Sequence, residues 1–136
     1  DLDKRLDILK LLIKKIEERS PSIVADYKER LEKRIKELLE EEVNIDEGRI
    51  ALEVALFADK SNITEEIVRF NSHINQFIAS MNQQEAVGRK LDFIIQEMNR
   101  EVNTIGSKAN DLTISNIVLD IKSELEKIRE QVQNIE

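Results

Sequence analysis

Cysteine is absent from the 136 residues. No disulfide, thiolate metal site or cysteine nucleophile is therefore available, and the redox compartment is not encoded. There is no tryptophan, one tyrosine, one proline and three glycines. The turns of a multi-stranded sheet need more glycine and proline than this, and strands favour the aromatic residues that are scarce here. No apolar run approaches the ~20 residues that span a bilayer, and the start carries no signal-peptide pattern. A soluble, intracellular protein is the default expectation. A Gly-rich phosphate loop, a Ser/His/Asp catalytic order and an HExxH zinc motif are also missing, so no cofactor-based enzyme class has support.

What remains is aliphatic and charged: 40% hydrophobic residues, 36% charged and only 4% aromatic. That balance suits long helices, and the length suits one domain. The net charge of −7 disfavours a protein that coats nucleic acid indiscriminately, because such affinity comes from neutralising phosphates. A local basic or hydrogen-bonding surface stays open. The chain begins Asp1-Leu2-Asp3 without Met, already in helical register, and reads as a C-terminal fragment of a longer protein.

The periodicity predicts an all-α fold of about six helices, with 1–43 a protruding helical hairpin and 44–136 a bundle. Leu2, Leu6, Leu9, Ile13 and Ile16 repeat at spacings of 4, 3, 4 and 3, a heptad-like seam on a first helix. Ser20-Pro21 interrupts it, with Pro21 suited to the first position of a second helix capped by Ser20. Val24, Tyr27, Leu31, Ile35 and Leu38 form that helix's stripe. The two helices make either an antiparallel hairpin or one kinked arm. Asn44 to Glu47 and Asn62 to Glu65 carry helix-start signatures. Ile50, Val54, Phe57 and Ala58 follow the first. Ile67, Phe70, Ile74, Phe77 and Met81 follow the second. A sixth helix, starting near Asn110-Asp111, holds Ile114, Val118, Ile121, Leu125, Ile128, Val132 and Ile135 in 4, 3 alternation.

The fifth helix, from about Gly88 to Asn110, differs. On a helical wheel Leu91, Ile94, Ile95, Met98, Val102 and Ile105 form a core arc. Arg89, Asp92, Gln96, Asn99, Arg100, Asn103 and Ser107 lie opposite, with Lys90, Glu97, Glu101, Thr104 and Lys108 between. Asn, Asp and Ser are poorer helix formers than Lys or Glu by a few tenths of a kcal/mol each. Such a face implies specific partners, either a ligand or a polar network that only specifies packing. Gly106 either permits a close backbone approach or marks a fraying end.

His73, the one histidine, shares a face with Glu66 and Arg69. A histidine in such a place is most often a structural hydrogen bonder, and Glu66/Arg69 reads first as a surface ion pair. Glu97 and Glu101, one turn apart, have the spacing to share a divalent cation or to be solvated partners of Lys and Arg. Glu53 is similarly ambiguous.

The run Gly88-Arg89-Lys90-Leu91-Asp92-Phe93, then Gln96 to Glu101 and Asn103 to Lys108, resembles the hallmark of the YicC/YloC-like endoribonuclease family. Glu53, Glu65, Glu66, Arg69, His73 and the terminal run from Glu124 fit the same pattern. The resemblance implies a bacterial cytoplasmic, stress-associated protein with a further N-terminal domain. It implies a homo-oligomeric, hexameric ring that admits RNA. The implied activity is single-strand-directed endoribonuclease cleavage with a divalent metal, Mn or Mg. On that basis His73, Glu66, Glu97, Glu101 and Asp92 are the candidate catalytic residues, with Glu97, Glu101 and His73 as metal ligands. Arg69, Arg89, Lys90, Arg100 and Lys108 would contact phosphates and Asn99 and Asn103 the ribose or bases. Without metal, His73 is the natural proton-transfer group for attack by the ribose 2′-hydroxyl. The alternative is a non-catalytic helical RNA-binding, adaptor or oligomerisation module.

Overall fold

Heptad spacing buries one stripe of each helix, and the computed structural model shows what those stripes meet. It describes residues 1–39, 46–83 and 88–135. Among them are five helices: α1 (Leu2–Leu39), α2 (Glu47–Lys60), α3 (Thr64–Met81), α4 (Gly88–Ala109) and α5 (Leu112–Ile135). No strand occurs among the described residues. Four helices close a bundle: α3 packs on α4, α4 on α5, α5 on α1, and α1 on α3, while α2 packs outside on α1. The core joins Leu6, Leu9, Ile13 and Ile16 of α1 to Phe70, Ile74 and Phe77 of α3, to the α4 arc from Leu91 to Ile105, and to Ile114 through Val132 of α5. No described helix is long and apolar enough to cross a membrane.

The expected break at Ser20-Pro21 does not occur. α1 runs through Pro21 as a single 38-residue helix, so the described residues hold five helices and not the expected six. A proline inside a helix costs ~3 kcal/mol through its missing donor and ring clash. Burying each large aliphatic side chain contributes ~1.5–3 kcal/mol, and Ile16 before Pro21 and Ile23 after it are both buried in the same core. Breaking the helix would give up Ile23 and everything that follows on that face. Pro21 itself stands on the exposed side.

The hairpin is therefore shifted along the chain. Residues 2–23 of α1 belong to the bundle, and the arm consists of the C-terminal half of α1 with α2. The two are joined by Tyr27 stacked on Phe57, ring centroids 3.9 Å apart at 6°. Val24, Leu31 and Ile35 are only half-buried there, because a single partner helix covers them.

Asp46 caps α2, accepting from the Gly48 and Arg49 amides at 3.0 and 3.2 Å. Asn44, one expected cap, lies outside the described residues. Asn62 accepts from the Thr64 amide at 3.0 Å, but the cap position of α3 is Ile63. The α4–α5 corner turns at Asn110, whose φ of 45° is one that asparagine tolerates. Asp111 then caps α5 by accepting from the Ile114 amide at 3.1 Å. The same carboxylate takes two hydrogen bonds from Arg19, at 3.1 and 2.9 Å. This fork ties the middle of α1 to the corner that ends α4.

Candidate functional site

Antiparallel packing of α3 on α4 brings acidic and basic side chains from both helices to one groove. Glu66 on α3 is completely buried. Lys108 of α4 reaches over it and donates to both its oxygens, at 3.1 and 3.0 Å. One turn along α3, Arg69 donates through Nε to Glu101 of α4 at 2.9 and 3.2 Å. A second guanidinium nitrogen stands 3.5 Å from Glu66, and Nη1 lies 3.4 Å from Glu65. Glu101 is also buried.

The asymmetry of this cluster decides what it can do. Burying a carboxylate costs several kcal/mol unless it is paired and hydrogen-bonded. Both carboxylates sit at the floor, while Arg69 and Lys108 remain 49% and 41% exposed. The hydrogen bonds that Arg69 donates to Glu101 raise the Arg69 pKa above its already high ordinary value, against the opposing effect of desolvation. The arrangement fixes both cations against carboxylates, with every Arg69 nitrogen facing one, while part of each cationic side chain stays in solvent. A planar guanidinium beside an ammonium suits a phosphate.

His73 follows one turn further along α3. It is half-buried, with Nδ1 3.2 Å from the Gln76 side-chain oxygen. With Nδ1–H donating to that oxygen, Nε2 carries the lone pair. The register that pairs Arg69 with Glu101 sets His73 level with Glu97. Glu97 is loosely engaged, 3.7 Å from the largely exposed Arg100.

The other expected residues divide between this groove and surfaces away from it. Asp92 lies on the far side of α4 from Glu101, where it accepts from Gln96 at 3.1 Å and approaches Arg129 of α5 at 3.6 Å. It does not join the cluster. Arg89, Lys90, Arg100 and Asn103 are exposed, Asn99 is half-buried, and Glu53 is exposed on α2. The amide-rich face of α4 is thus no buried packing network within the chain. The buried polar groups are on the flank, at Glu101, and on the neighbouring helix, at Glu66.

The metal implied by the resemblance has no ready cage. Among the described residues, no three His, Asp or Glu side chains are gathered into a group able to hold an ion, His73, Glu97 and Glu101 included. Glu66 and Glu101 turn both oxygens to Lys108 and Arg69. An Mg²⁺-type ion needs less, because it commonly keeps several waters and takes one or two carboxylates with the substrate's phosphates. Glu97, with Arg100 no nearer than 3.7 Å, is a groove carboxylate of that kind.

Phe93, which the sequence marks only as part of the Gly88–Phe93 run, is 59% exposed. Its signal was present: a large apolar side chain lying off the core arc of the wheel.

Residues 16–136 match the family described as "Endoribonuclease YicC-like, C-terminal". The chain belongs to the YicC-like family. It is 59% identical over all 136 residues to the "Probable endoribonuclease YicC" of Clostridioides difficile (strain 630), covering 46% of that protein. It is 33% identical over 135 residues, 99% of the chain, to the protein of the same name from Haemophilus influenzae (strain ATCC 51907 / DSM 11121 / KW20 / Rd), again covering 46%. The chain thus spans about half the length of these YicC relatives. The match takes in the whole of α3 and α4, and with them the groove.

Proposed function

We propose that this chain is the part of an endoribonuclease that grips single-stranded RNA along the α3–α4 groove, with the scissile phosphate at Arg69 and Lys108. The observation that carries this reading is the pair of half-exposed cations held in place by the buried Glu66 and Glu101. Preorganised donors aimed at developing charge are usually the largest contribution to such a reaction. The net charge of −7 does not oppose it, since holding one phosphate depends on positioned donors rather than on the charge of the whole chain.

In this reading Glu66 and Glu101 are positioning residues. His73 is the proton-transfer group, with Gln76 holding its ring through Nδ1. Arg89, Lys90, Arg100, Asn99 and Asn103 contact the strand beyond the scissile phosphate. A divalent ion would be held by Glu97 together with phosphate oxygens of the RNA, and would supply further charge neutralisation. Self-association is supported by Leu112 and Leu119, which are 78% and 65% exposed on α5 and seven residues apart, hence on one face.

A non-catalytic RNA-binding module is the second reading. It is favoured by the same ion pairs, which leave Glu66 and Glu101 no free oxygen to act as a base. The deciding experiment is cleavage of end-labelled single-stranded RNA by the purified chain and by Arg69→Ala prepared identically. Removing one stabilising donor should lower cleavage by about 100- to 1,000-fold. Equal activity in both preparations would point to a contaminating ribonuclease and sink the proposal.

A further inference from the structure

The α3–α4 groove continues past His73. Where the C-terminal turns of α3 meet the first turns of α4 it opens into a cleft of about 280 Å³, lined by Gln76, Ala79, Gln83, Lys90 and Phe93 over a floor of Ser80 and Ile94. That is below the ~300–1,000 Å³ of pockets that take drug-sized ligands. It offers room for a single ring.

The chemistry of the lining is specific. Phe93 is 59% exposed, so a large aromatic surface is left in water at the wall of a cleft. Lys90 stands one turn before it on the same helix. Gln76 brings a side-chain amide from α3 and Gln83 another from just beyond that helix's end, and both are exposed. An aromatic platform, an ammonium and two amides match an unpaired nucleobase with its phosphate: the ring stacks, the amides reach its polar edge, and the ammonium meets the backbone.

The position supports the same occupant. Phe93 and Glu101 are eight residues apart on α4, about 12 Å along the helix axis. The cleft and the Arg69–Lys108 pair therefore lie on one straight groove, at a separation that a short single strand bridges. A duplex could not present an unstacked base to Phe93. We infer that Phe93 is a stacking platform for an unpaired base of the RNA bound in this groove, with Lys90 on the neighbouring phosphate. This inference rests on the RNA reading above, and it names the feature that makes the groove select single strands.

The absence of tryptophan from the sequence makes the test direct, because Phe93→Trp installs the only indole in the chain. Its emission is followed while a short 2′-O-methyl oligoadenylate, which cannot be cleaved through its 2′ position, is added. An abasic oligomer with the same number of phosphates is titrated in parallel. Stacking predicts quenching by the oligoadenylate and none by the abasic strand. It also predicts that Phe93→Ala binds the oligoadenylate about tenfold more weakly, or ~1.4 kcal/mol, within the range for one stacked base. Binding of the abasic strand should not change.

Unchanged oligoadenylate affinity in Phe93→Ala would overturn the inference. So would an altered sedimentation coefficient of that variant, which would assign Phe93 to a contact between copies of the chain. Cleavage of single-stranded RNA by the unsubstituted chain is measured alongside. If cleavage occurs without stacking, only this inference fails. If the chain neither binds nor cleaves RNA, the functional reading fails and takes this one with it.

Discussion

Glu66 and Lys108 meet through two hydrogen bonds, at 3.1 and 3.0 Å, although 42 residues separate them in the sequence. One is buried without remainder and the other is half in water. Lys108→Met should leave the Glu66 carboxylate with only Arg69, at 3.5 Å, as a charged partner. A group buried without its hydrogen-bond partner costs ~1–3 kcal/mol, and urea denaturation should show a loss of that size. Because part of the loss is the stranded charge, Glu66→Gln combined with Lys108→Met should be less destabilised than the sum of the two single changes. Strict additivity would mean the pair is not coupled.

Asp111 gives a pH dependence whose sign follows from its partners. The Arg19 hydrogen bonds lower its pKa below the ordinary 3.8, against desolvation and with help from the Ile114 amide. A carboxyl with a depressed folded value contributes stability that is complete above the ordinary value. That contribution is lost as pH falls through the lower folded value. Asp111→Asn keeps a cap acceptor and removes the charge. The stability gap between it and the unsubstituted chain should be constant from pH 7 to about 5 and close below about pH 4. Asp111→Ala also removes the cap and should lose a further ~1 kcal/mol at every pH. A gap for Asp111→Asn that widens in acid would contradict the assignment.

Gly106 is not needed for a close approach. A Cβ there would stand 3.6 and 3.7 Å from the Val118 methyl carbons, ordinary contact, and α4 continues to Ala109. Gly106→Ala should raise stability by ~0.5–1 kcal/mol, visible as a higher thermal midpoint. A lower midpoint would show that the helices cannot accept one methyl group.

With Glu97 as the groove's available carboxylate, the RNA-free chain should show no tight Mn²⁺ or Mg²⁺ site by calorimetry. Cleavage should nevertheless stop in chelator and weaken in Glu97→Gln. A stoichiometric, tightly held ion in the absence of RNA would mean that ligands other than those described here converge.

The all-helical class and most core positions were legible because 4, 3 spacing records directly which face of a helix is buried. Leu6 to Ile16, Ile67 to Phe77, Leu91 to Ile105 and Ile114 to Val132 all lie in the core. Pro21 misled because its cost is local, while the burial of Ile23 that offsets it depends on α1 packing into the bundle. The site was half legible. Arg69, His73, Glu101 and Lys108 carried a signal within their own helices. That Lys108 would lie on Glu66, and Arg69 on Glu101, depends on the register of α3 against α4, which periodicity does not encode. For that reason periodicity separates the polar outer face of α4 from its core arc but does not show that the flank carries the ion pairs with α3. Asp92 was grouped with Glu97 and Glu101 although it projects from the other side of the helix.

The central claim is that the α3–α4 groove both holds RNA and cleaves it, with those duties on different side chains. The most direct measurement follows binding and single-turnover cleavage of one labelled single-stranded RNA by the chain, by Arg69→Ala and by His73→Ala. Loss of a positioned proton-transfer group typically costs 100- to 10,000-fold, to order of magnitude. The account predicts that His73→Ala binds as well as the unsubstituted chain but cleaves roughly 100-fold more slowly or worse, while Arg69→Ala loses both. Undiminished cleavage by His73→Ala, or undiminished binding by Arg69→Ala, would contradict it.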